Sequence, residues 1–67
     1  MTAERVRTLL LRGDNLLKSG RPERLARAME AFEEARAAAR DDDVPPEVRN
    51  LVERRIEALR QLTGAGE

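Results

Sequence analysis

The apolar residues of this 67-residue chain recur every three or four positions in three separate stretches. This spacing aligns side chains along one side of an α-helix, so it predicts three amphipathic helices over about residues 3–18, 22–40 and 45–62. Their predicted inward-facing residues are Val6, Leu9, Leu10, Gly13, Leu16 and Leu17 in the first helix, Leu25, Ala28, Met29, Phe32, Ala35 and Ala39 in the second, and Val48, Leu51, Val52, Ile56, Leu59 and Leu62 in the third.

Glycine and proline mark where these helices end and begin. Gly20 is expected to end the first helix in a left-handed conformation, and Pro22 suits the first turn of the second. Residues 41–46, Asp-Asp-Asp-Val-Pro-Pro, cannot continue a helix. The third helix therefore starts there, with an Asp or Val44 as its predicted N-cap.

Short connections make consecutive helices antiparallel neighbours, and three one-sided helices bury their apolar sides most simply against each other. The sequence thus predicts an all-α fold, an antiparallel three-helix bundle over residues 1–63. Residues 64–67, Gly-Ala-Gly-Glu, are expected to be a flexible tail or the start of a linker.

Composition narrows the function. The chain has no Cys and no His, which removes thiolate and imidazole metal sites and His-based acid–base catalysis. Thirteen basic residues balance 13 acidic ones, and Phe32 is the only aromatic, so neither a basic stripe nor a base-stacking platform for nucleic acid is expected. We therefore predict no enzyme activity, no catalytic, cofactor-binding or metal-binding residue, no small-molecule substrate, and no nucleic-acid partner.

Location follows from the same data. No apolar run approaches the roughly 18 residues of a membrane span, and the first residues are charged, so we expect no membrane insertion and a cytoplasmic protein. Twelve of the 13 basic residues are Arg, which suggests a bacterial source with a GC-rich genome.

Three local clusters suggest specific chemistry but have simpler interpretations. Residues 12–14 spell Arg-Gly-Asp, an adhesion tripeptide that acts from extended loops, whereas here it lies inside a predicted helix. Residues 41–43 are three adjacent aspartates, which do not converge on one cation and suit a solvated linker. Glu30 and Glu34 could be a carboxylate pair, but on an exposed helix side they are expected to be solvated.

Two residues break the helical pattern. Leu11 lies about 160° around the first helix from the centre of its apolar side, so it is either an ordinary exposed leucine or part of a contact surface. Arg55 lies in the middle of the third helix's apolar arc. It either lines a partner site or forms an ion pair within the bundle, with an acidic residue of the first or second helix.

The spacing of Ala28, Phe32 and Ala35 resembles the second helix of a tetratricopeptide repeat. Gly13 and Leu16 fall where the first helix of that repeat has its glycine and an aromatic residue. The resemblance implies a tight helical hairpin, here followed by a third helix.

The third helix resembles that of microtubule-interacting-and-transport (MIT) domains, three-helix bundles of about this length. Those domains have an aromatic followed by Arg-Ala-Glu-x-Leu, and this chain has Val52 followed by Arg-Ile-Glu-Ala-Leu at residues 55–59. The resemblance implies that short amphipathic helices of partner proteins bind in grooves beside the third helix.

Together these observations predict a protein–protein interaction module that docks a partner helix or segment in an apolar groove, in the manner of an accessory domain of a larger protein. The alternative is a structural unit that associates with its own copies. The predicted partner-binding residues are Leu11, Arg55, Val52, Leu59 and Leu62.

Overall fold

The computed structural model describes residues 2–62, which form three α-helices joined by short connections. They are α1 (Thr2–Lys18), α2 (Pro22–Ala38) and α3 (Pro46–Leu62). Every pair of helices is in contact, and α1 with α2 forms the most extensive contact. The predicted all-α, antiparallel three-helix bundle is thereby confirmed. The predicted tail at residues 64–67 lies outside the described residues.

One apolar core joins the three helices and the second connection. Its buried members are Val6, Leu9 and Leu10 of α1, Ala28, Phe32 and Ala35 of α2, Ala39 and Val44 of the connection, and Val48, Val52, Ile56 and Leu59 of α3. Leu16, Leu17, Leu25, Met29 and Ala38 pack against this core while partly exposed. The helical periodicity therefore identified nearly all of it.

The centre of the core is an aromatic ring that packs directly on a helix backbone. Phe32 of α2 is completely buried, and its ring lies against α1 at Gly13. A methyl group built on Gly13 would stand 2.7 Å from Cζ and 2.8 Å from Cδ1 of Phe32, well inside van der Waals contact. Gly13 is thus required by the close approach of α2, which explains a glycine in the middle of a helix.

The first connection is a tight turn built by Ser19 and Gly20. Gly20 has φ +70°, the left-handed conformation predicted for it, and its N–H donates to the carbonyl of Leu17 at 3.0 Å. The Ser19 hydroxyl donates to the Leu16 carbonyl at 2.8 Å. These bonds satisfy carbonyls of the last turn of α1 that have no partner within the helix.

The second connection differs from the prediction in two ways. Helix α2 ends at Ala38, two residues before the predicted end, and α3 begins at Pro46. The predicted cap by an Asp or Val44 is wrong, because Val44 is 1% exposed in the core and the carbonyl of Pro45 accepts the N–H of Val48 at 3.0 Å. The apolar side chain of Val44 gains more from burial than from a position at the helix end.

Three further residues depart from the predicted inward-facing set. Leu62, at the end of α3, is 70% exposed. Leu51 is 39% exposed, because α3 has a narrower contact with the hairpin than a full apolar arc would make. Ala31, which was not predicted to face inward, is 4% exposed at the side of α2. Small side chains such as Ala let helix backbones approach closely, so burial of Ala31 follows from the tight α1–α2 contact.

We expect Phe32→Ala to remove most of the stability of the bundle. Truncating a buried Phe costs about 3–5 kcal/mol, which is comparable with the entire stability of a domain this small. Circular dichroism melts should show a largely unfolded variant at 37 °C. An unchanged melting midpoint would contradict the central position of the ring.

The substitution Gly13→Ala tests the close approach of the Phe32 ring to α1, because the two expected effects on stability have opposite signs. Helix propensity alone favours Ala over Gly by about 1 kcal/mol, whereas the clash with the Phe32 ring predicts a net loss of stability. We expect a lower melting midpoint, and a smaller loss when Gly13→Ala is made in a Phe32→Leu background, where the ring is absent. A higher midpoint for Gly13→Ala in the wild-type background would show that the contact is loose.

Candidate functional site

The structure separates the five residues predicted to bind a partner. Val52 is 1% exposed and Leu59 is fully buried, and both belong to the core. Their side chains are therefore covered by the bundle itself, and their contact with a partner stays a prediction. Leu11 and Leu62 are 60% and 70% exposed.

Arg55 forms an ion pair within the bundle, as the second of its two interpretations expects. Its Nη1 donates to both carboxylate oxygens of Asp14 in α1, at 2.6 and 2.5 Å. The side chains of Arg55 and Asp14 are 38% and 28% exposed. The pair connects α1 to α3, the two helices with the least extensive contact, so Arg55 has a structural role. Its assignment to a partner site stays a prediction.

The Arg-Gly-Asp tripeptide is thereby also accounted for. It lies within α1, where Gly13 is buried under Phe32 and Asp14 is bound by Arg55. An adhesion motif of this kind acts from an exposed, extended loop. Gly13 and Asp14 serve the fold instead, and Arg12 is exposed on the surface of the helix.

A depression beside α3 lies closest to the groove implied by the resemblance to MIT domains. It measures about 350 Å³ and has Val52 and Ala39 in its lining. Charged side chains make up the rest, and one pair of them, Arg36 and Glu53, is joined by a 3.0 Å hydrogen bond from Nε to Oε2. With Val52 almost completely covered, this depression offers little apolar area to a partner.

Leu11 lies on the opposite side of the bundle, on the outward face of α1. Thr8, Leu11 and Asn15 are spaced three and four residues apart and are all exposed, so they form an uncharged strip along the helix. We call these three residues the Leu11 strip.

Beside the strip is a depression of about 370 Å³, the Leu11 depression. Its lining is formed by Thr8, Leu11, Arg12, Asn15 and Leu16 of α1 and Arg24 of α2. Leu16 is partly buried, so the depression has an apolar side chain at its base as well as at its rim. Both of its charged residues are arginines. The sequence singled out Leu11 through its angular position, but Leu16 and Arg24 become its neighbours only through the packing of α1 on α2.

No cluster of metal-binding side chains is found among residues 2–62. No three acidic side chains of this segment converge on a point that could hold an ion. The Asp41 carboxylate accepts the N–H of Asp43 at 3.0 Å, so it shapes the second connection. No buried side-chain nitrogen or oxygen in the described part of the chain lacks a hydrogen-bond partner.

Comparison with known proteins adds no assignment. No family model matches the chain, and neither the curated proteins nor the solved structures searched contain a match to it. Within residues 2–62, no helix has the length and apolar character needed to span a bilayer.

We expect Arg55→Leu to lower the stability of the bundle, because the variant leaves the half-buried Asp14 carboxylate without its partner. The loss should be about 0.5–1 kcal/mol, since both side chains are partly solvated. Arg55→Lys should lose less, because the ammonium keeps the charge without the planar geometry. Thermal melts at low and high salt measure both effects.

The matched control is Arg54→Leu, which removes a neighbouring exposed arginine of the same helix. Its melting midpoint should stay close to that of the wild type. If Arg55→Leu were as stable as Arg54→Leu, the ion pair would contribute nothing to holding α3 on α1.

Proposed function

We propose that this chain is a non-enzymatic interaction module that docks an amphipathic helix of a partner protein on the Leu11 strip and its depression. The observation behind the proposal is the position of Leu11, a large apolar side chain that is 60% exposed at the middle of an uncharged strip. Burying such a leucine contributes about 1–2 kcal/mol to association, which is typical of a contact near the centre of an interface.

The shape of the surface favours a helical partner. The Leu11 strip runs along a 17-residue helix whose outward side is free of the other two helices. Helices pack by inserting side chains between those of a neighbour, and the Leu11 depression provides a space beside Leu11 and above Leu16 for one such side chain. Thr8 and Asn15 are small enough to let a partner backbone approach.

The residues that resemble tetratricopeptide and MIT domains support the same class of function by analogy only. In this chain those residues, Ala28, Phe32, Ala35, Val52 and Leu59, are all buried and build the bundle. The proposed docking face is on α1, so it departs from the location beside the third helix that the resemblance implies.

We also propose a cytoplasmic location and a bacterial source, both supported by composition.

The alternative is a structural unit in which a second copy covers Leu11. Sedimentation at tens of micromolar separates the two. A monomer supports docking of a different protein, and a dimer that disappears in Leu11→Gln supports self-association.

We expect a displayed library of helical peptides, with apolar residues every three or four positions and random flanking residues, to yield binders of this domain. Leu11→Gln should weaken the selected binders at least about tenfold, because a polar group replaces the apolar anchor. The melting midpoint should change little, since surface substitutions usually stay within about 0.5 kcal/mol. Binding constants come from fluorescence anisotropy.

The control is Leu51→Gln, which makes the same change at a partly exposed leucine of α3. It should leave binding intact. The proposal fails if the library yields no binder, or if the binders are insensitive to Leu11→Gln.

A further inference from the structure

Basic residues border the Leu11 strip on both of its long sides. At roughly 100° per residue, Arg7 and Lys18 fall on one side of the strip, and Arg5 and Arg12 on the other. All four are exposed. Arg24 of α2 adds a fifth positive charge at the depression.

Acidic residues are fewer than basic ones around the Leu11 strip. Glu34 of α2 lines a neighbouring depression together with Thr8 and Arg12, and Glu30 and Glu33 line another one with Arg12. Asp14 of α1 is bound by Arg55, so its charge is compensated on the side of α3. Glu4 is the remaining acidic residue of α1 and lies at the N-terminal end of the strip, one turn before Thr8. The chain has no net charge, yet the outward face of α1 is strongly basic.

Two of these arginines are placed to bind a ligand carboxylate. Arg12 and Arg24 line the same depression from different helices. Neither guanidinium takes part in a salt bridge or side-chain hydrogen bond within residues 2–62, unlike Arg36, Arg49 and Arg55. Unpaired guanidinium groups beside an apolar notch suit bidentate carboxylate binding next to an apolar side chain.

We propose that the docking partner is an acidic amphipathic helix, in which an apolar side chain enters the Leu11 depression and a flanking Glu or Asp is bound by Arg12 and Arg24. This inference rests on the proposed function and specifies the chemistry of its partner. Charge complementarity across the strip sets the preference for acidic over basic segments.

Other occupants fit this surface less well. A second copy that used the same strip in a two-fold contact would bring its own basic borders against these, and like charges would repel. An anionic bilayer would be attracted by the charge, but membrane-surface helices bury a broad apolar face, whereas this strip has a single exposed leucine.

The test uses two synthetic probe peptides with the same helical pattern of leucines. The acidic probe has Glu at every flanking position, and the basic probe has Lys at the same positions. At about 0.1 M salt the wild-type domain should bind the acidic probe at least about tenfold more tightly, and the preference should shrink at about 1 M salt, where charges are screened within about 3 Å.

A charge exchange locates the effect. The double variant Arg12→Glu/Arg24→Glu should lose the preference for the acidic probe and bind the basic probe more tightly than the wild type does. The double variant Arg40→Glu/Arg54→Glu changes the net charge equally at two exposed arginines away from the Leu11 depression, and should keep the wild-type preference. Melting curves confirm that both variants fold.

Each result decides a separate question. Equal binding of both probes, or equal loss in the two double variants, overturns the acidic partner, and so does the absence of binding by either probe. If the probes bind equally, or if only library-selected peptides bind, and Leu11→Gln abolishes that binding, the docking function stands while the inference about charge fails. Leu11-dependent binding to anionic vesicles with no binding of the acidic probe would also overturn it.

Discussion

The contact of the Phe32 ring with the backbone of α1 at Gly13 determines the rest of this structure. It brings α1 and α2 closer than two helices with a side chain at that position could come, and it buries the only aromatic residue completely between them and the rest of the core. The apolar residues of α3 and Val44 of the second connection then cover the remaining sides of the hairpin. A domain of this size has few core residues, so its largest buried side chain has a disproportionate share of the packing energy.

The packing of Phe32 on α1 explains why the three helix pairs differ in the extent of their contact. Helices α1 and α2 form the larger contact, while α3 is added through Val48, Val52, Ile56 and Leu59. The Asp14–Arg55 pair supplements the narrow α1–α3 contact with a charge-assisted interaction. Its energy is modest because both groups remain partly in water, but its geometry specifies where α3 lies along α1.

The sequence predicted the fold through local rules that the packed structure obeys. Helical spacing, Gly20 and the Pro-Pro pair identified three helices to within about two residues at each end. The reason for a glycine at position 13 could not be predicted, because a glycine in a helix indicates close packing only when the facing residue is known. Val44 precedes the prolines, and this position predicts a helix cap. Its burial depends on how the connection folds back over the core, which the local pattern does not contain.

The candidate site was only partly predictable, for a related reason. Leu11 could be found from its angle on α1 alone, since exposure on the far side of a helix does not depend on neighbouring elements. Val52, Leu59 and Arg55 required the position of α3, and a resemblance in spacing could not distinguish a groove from a core. Arg24 enters the site from another helix, so no pattern within α1 could have revealed it.

The opposite placement of Gly13 and Leu11 on α1 has a consequence for how this domain can change. The Phe32 ring packs on the inward side of α1 and thereby determines the rotation of this helix about its axis. The direction in which Thr8, Leu11 and Asn15 point therefore does not depend on which amino acids occupy these positions. Substitutions in the strip can therefore change the surface that α1 presents while the fold keeps its stability, and the same three positions could be diversified in the laboratory to make this bundle a scaffold for new binding specificities.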